Sequence, residues 1–172
     1  MIEFQVIVPG IWGENARIDM EHLKKTVAEL LKSLGEVPPV ALLENVSGVT
    51  SIPIIYRNNA EKRFFFHVFL PALIRATGTT KLGIVQEVWF YRTEEKLPEN
   101  RLLPASKHPD REEAVHILIL TDRDMKSVMM TIRRDENNRP AIGEVYEAEV
   151  FVPALQKECI KALKDVAKEI SR

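Results

Sequence analysis

Residues 82–92, Leu-Gly-Ile-Val-Gln-Glu-Val-Trp-Phe-Tyr-Arg, constrain what this chain can fold into more than any other stretch. Rich in β-branched and aromatic side chains, the run predicts a strand. On a period of two, Val85, Glu87, Trp89 and Tyr91 share one face, and Ile84, Gln86, Val88 and Phe90 share the other. Apolar bulk on both faces marks a central strand. Glu87 is then a carboxylate set among large side chains, and it is the residue that most invites a chemical reading.

Around that strand the chain divides into elements with readable ends. Residues 2–8 alternate as a short strand stopped by Pro9 and Gly10. Asp19 is placed as an N-cap before Leu23, Val27, Leu30, Leu31 and Leu34 at helical spacing, and Gly35 as the left-handed C-terminal cap. Residues 40–44 and 49–56 flank Asn45-Val46-Ser47-Gly48 as a hairpin, with Pro53 confining the second run to an edge or bulge. Asn58-Asn59 offers a cap for a helix over residues 60–77, with an apolar pattern at Phe64, Phe65, Val68, Phe69, Ala72, Leu73 and Ala76 and a stop at Gly78. Pro71 lies inside this pattern, removing one backbone hydrogen bond, and predicts a kink or two helical pieces meeting there. Residues 94–111 have three prolines and no period and read as a long loop. Strands follow at residues 113–121, 126–134 and 142–150, the last with Val145 breaking alternation. A helix with an apolar stripe at Leu155, Cys159, Leu163, Val166 and Ile170 closes the chain after Pro153.

This order predicts a single α+β domain over residues 1–172, with a mostly antiparallel sheet of about six or seven strands and three helices, the second kinked at Pro71. The simplest arrangement gathers the helices over one face and leaves the polar parity of the meander on the other. No repeat or linker divides the sequence.

Composition narrows the functional classes. Twenty-four Lys and Arg against 25 Asp and Glu give a net charge of −1, so no overall basic field draws in nucleic acid. Arg123, Lys126, Arg133, Arg134 and Arg139 are interleaved with acids, as are Arg57, Lys62 and Arg63 less densely, and this mixture reads as a solvated surface. Cys159 is the only cysteine, which rules out an internal disulfide and multi-cysteine zinc sites. The amino terminus lacks a basic leader, and no run reaches the roughly 18 to 20 apolar residues of a spanning helix, so the expected setting is cytoplasmic and off the membrane.

Dinucleotide, Walker, nucleophile-elbow and zincin motifs are all missing, and no cofactor is implied. The one constellation with chemical potential joins Glu87 to His108 and Asp110 in the loop and His116 on the next strand, as oxygen and imidazole donors for a divalent metal or as an acid–base set. That pattern supports a metal-dependent hydrolase, with phosphate esters as the candidate substrates. The competing reading makes the same loop a turn pinned to the sheet by its own side chains. Aromatic residues point elsewhere. Phe64, Phe65 and Phe66 are consecutive, and with about 100° between neighbours on a helix, one face cannot bury all three. Trp12, in a polar loop, is a second contact candidate. Self-association or binding to another protein, without catalysis, is therefore the leading expectation; the hydrolase comes second and nucleic-acid binding third.

Overall fold

The computed structural model describes residues 13–14, 16–91, 105–147 and 156–172. The strand expected at residues 2–8 and the stripe position Leu155 lie outside these, as do Trp12 and Pro153.

Among the described residues seven strands form one sheet: β1 (Gly13–Glu14), β2 (Val40–Asn45), β3 (Gly48–Pro53), β4 (Lys81–Phe90), β5 (Glu112–Leu120), β6 (Met125–Arg134) and β7 (Pro140–Glu147). Their order is β1-β3-β2-β4-β5-β6-β7, and every pairing is antiparallel. β4 lies between β2 and β5 over residues 82–85, which are buried as their two apolar faces require. Residues 86–90 pair with β5 alone, and Glu87 and Trp89 there are exposed. The architecture is α+β. Gly48 closes the β2–β3 hairpin with a φ of 144°, and Pro53 is the last residue of β3. Val145 sits where the β6–β7 register shifts, opposite Met130. Gly143 beside it admits no side chain, since an added Cβ would lie 2.6 Å from Arg133 Cγ and 2.7 Å from Thr131 Oγ1.

Helix α1 (Met20–Leu34) begins where Asp19 accepts a hydrogen bond from the His22 amide at 2.9 Å and ends at Gly35 with φ 79°. The cap is of a kind that contributes about 1 kcal/mol. Its buried residues Leu23, Val27, Leu30 and Leu31 pack with Val40, Leu42, Val85, Val115, Ile117, Val128 and Met130 on one face of the sheet. The remaining helices are α2 (Asn59–Phe64), continued by a π-helical segment (Phe65–Phe69) into α3 (Leu70–Thr77), and α4 (Lys157–Ile170). These cover the opposite face, where Phe66, Leu70, Ile74, Cys159, Leu163 and Val166 meet Ala41, Leu43, Leu82, Ile84, Leu118 and Leu120. The helices therefore lie on both faces, not on one as the order of elements implied. The cause is in β5: its residues 114–120 are all buried, so both parities of that strand need a cover.

Pro71 explains the π segment. The Leu70 amide bonds the Phe65 carbonyl, five residues back. The next bond in that register would run from residue 71 to the Phe66 carbonyl, but proline has no N–H. The Cys159 thiol from α4 takes its place, Sγ lying 3.5 Å from the Phe66 oxygen. Two helical pieces thus join at a π turn. The wider turn also rotates the buried face: Phe66, Leu70 and Ile74 point inward, whereas Val68, Phe69, Ala72 and Ala76 of the expected apolar stripe are exposed. Ile170, the end of the expected α4 stripe, is likewise exposed.

Candidate functional site

Of the four residues expected to share one site, Glu87 and His116 are separated by strand parity, while His108 and Asp110 lie in the loop before β5. Val115 faces Glu87 across the β4–β5 ladder, while His116 is opposite Gln86. Directly opposed residues share a face, so Glu87 lies on the α1 side with Val85 and Val115, and His116 lies on the α3 and α4 side with Leu118. The sheet itself stands between carboxylate and imidazole. Among the described residues no group of three or more His, Cys, Asp or Glu side chains is placed to hold a metal.

Each of the four has a local partner. Glu87 Oε1 accepts the Val37 amide at 2.7 Å and so anchors the connection from α1 to β2. His108 stacks on Tyr91 with ring centroids 3.9 Å apart and planes 8° from parallel, and its Nδ1 accepts the Asp110 amide at 3.1 Å. The Arg111 guanidinium lies 5.0 Å from the Trp89 ring centroid. The loop is thus pinned to the end of β4 by two stacked pairs, and the turn is capped by His108 Nδ1. Glu113 is taken by Arg134 at 2.9 Å, a hydrogen bond that raises the Arg134 pKa.

His116 and Ser127 form the most suggestive polar pair, Nε2 lying 2.6 Å from Oγ with both residues buried. A serine activated by histidine has this geometry. Both side chains are buried, and that burial pushes the His116 pKa down to about 4, which makes it a weaker base than a histidine in water. Cys159 is held as the unreactive thiol, since burial, followed by the neighbouring Glu158 charge, pushes its pKa up to about 12.

What the described surface does offer is apolar. On the run through the π segment, Phe65 and Phe66 are buried and pack edge to face with centroids 5.1 Å apart, whereas Phe64 is 59% exposed, Val68 53% and Phe69 42%. Phe64 and Val68 are four residues apart and present the same side of the helix. Ile55 and Tyr56, immediately before α2, are exposed too, and Lys62 lies over the Tyr56 ring at 5.4 Å. Only Phe64 of the triplet needs outside cover. Sequence periodicity placed Val68 and Phe69 inward; the π turn that brings them out is signalled only by Pro71.

Comparison of the chain with protein-family models, curated proteins and solved structures finds no match.

Proposed function

We propose that this protein acts by associating with a second copy of itself through the exposed apolar surface of the α2–π–α3 run. The observation that carries this is the exposure of Phe64, Val68 and Phe69 on one continuous helical segment. Apolar side chains grouped in this way are a feature of association surfaces, whereas single exposed ones are ordinary. The flanking charges fit a twofold pairing. Arg57, Glu61, Lys62 and Arg63 supply both signs on the same segment, and a symmetric interface sets such a segment against its own copy. Catalysis by Glu87, His108, Asp110 and His116 as one group has no comparable support, because the β4–β5 register divides it.

Phe64→Asp together with Val68→Asp is expected to weaken association at least 100-fold, about 3 kcal/mol, by setting two charges in the interface. Light scattering on a sizing column should give a dimer mass for the wild type and a monomer mass for the variant, with similar melting temperatures because both positions are exposed. A dimer that survives both substitutions would overturn the assignment of this surface.

A further inference from the structure

The outer side of α4 carries a row of cations. At about 100° per residue, Lys157, Lys161, Lys164 and Lys168 fall within roughly 60° of one another, and at 1.5 Å rise the row extends about 17 Å with one charge every 5 to 6 Å. All four are exposed. Arg172, just past the helix end, continues the same line and is also exposed. Among the described residues only Lys161 has an ion-pair partner, Glu158 at 3.0 Å. Asp165, the acid nearest the middle of the row, is drawn toward α3 by Arg75 at 3.1 Å, so it does not neutralise the lysines beside it. Beyond that pair, Arg75, Lys168 and Arg172 line an open cleft of about 270 Å³ together with Asp165, Val166 and Glu169.

The meander arginines make the contrast. Arg133 and Arg134 are held by Glu112 at 3.6 Å and Glu113 at 2.9 Å, and Arg123 by Asp122 at 3.5 Å. Among the described residues, Arg123, Arg133 and Arg134 of the meander are thus paired with acids, whereas Lys157, Lys164 and Lys168 of α4 are not.

We infer that this α4 ridge is a docking surface for the phosphodiester backbone of nucleic acid, bound without regard to base sequence. A line of exposed cations on a helix, three of the four without an ion-pair partner among the described residues, complements a line of phosphates, and lysine serves phosphate as a point charge. An anionic membrane fits less well. A helix that lies on a bilayer presents an apolar face to it, but the apolar face of α4, Cys159, Ala162, Leu163 and Val166, is buried against the sheet. The ridge is distinct from the apolar run at Phe64, Val68 and Phe69, so binding here and self-association there stand or fall separately.

Fluorescence anisotropy with a labelled random-sequence 20-base-pair duplex tests this inference on the full chain. With about four phosphates neutralised, the slope of log affinity against log salt should be about −3.6, which is a loss of roughly 100-fold between 50 and 200 mM salt. The combined substitution Lys157→Gln, Lys164→Gln and Lys168→Gln should reduce affinity at least tenfold at 50 mM salt and flatten the slope to about −1. Replacing the same three lysines by Arg should preserve binding. Absence of binding by the wild type at 50 mM salt, or a Gln variant that binds as well as the wild type, would overturn the inference. So would binding to phosphatidylserine vesicles without binding to the duplex.

Discussion

Replacing Phe66 with Ala is expected to lower the free energy of unfolding by about 3 to 5 kcal/mol, a large share of the stability of an ordinary domain. Phe66 is fully buried, at the meeting of the π segment with α4 and the sheet, and its ring packs edge to face on Phe65. Truncation removes that packing and leaves a void that its neighbours cannot readily close, since the backbone there is fixed by the π turn and by the Cys159 thiol on the Phe66 carbonyl. Phe64→Ala, two residues earlier on an exposed position, should cost the monomer less than about 1 kcal/mol. Urea titrations of the two variants separate the cases. Equal losses would mean that the triplet is not divided between core and surface.

Acid should destabilise the fold through His116. Its folded pKa, about 4, lies below the ordinary 6.5 because burial disfavours the imidazolium. The unfolded chain therefore takes up a proton near pH 6.5 that the folded chain refuses until about pH 4. Stability from this group is complete above the higher value, is lost as pH falls through the interval, and is constant below it. The loss approaches about 3 kcal/mol. Other groups titrate in the same range, so the informative quantity is the difference between wild type and His116→Gln, a variant whose amide still reaches toward Ser127. That difference should shift in favour of the variant by about 3 kcal/mol between pH 7.5 and pH 4. A difference independent of pH would show that His116 is protonated freely in the folded state.

Local signals in the sequence located most elements. Asp19, Gly35, Gly48 and Gly78 act within a few residues of where they stand, and each occupies the cap or turn its chemistry requires. The central place of residues 82–85 was legible for a related reason: apolar side chains on both parities demand two covered faces. The unbroken apolar run from Ile117 to Leu120 made the same demand of β5, and it already argued against helices on a single face. Long-range register was not legible. Whether Glu87 meets Val115 or His116 depends on a shift of one residue between strands joined through a long connection, and that shift decides which side of the sheet each side chain occupies. The rotation of the α2–π–α3 run was hidden because a helical period of 3.6 cannot foresee a five-residue π segment, although Pro71 announced a break.

Sedimentation velocity on the wild-type protein from about 1 to 100 μM tests the proposed association most directly, since a self-association of micromolar strength crosses its midpoint within that range. The mean sedimentation coefficient should rise with concentration from the value of a 19.7 kDa monomer toward that of a dimer. A single monomeric boundary at every concentration would contradict it.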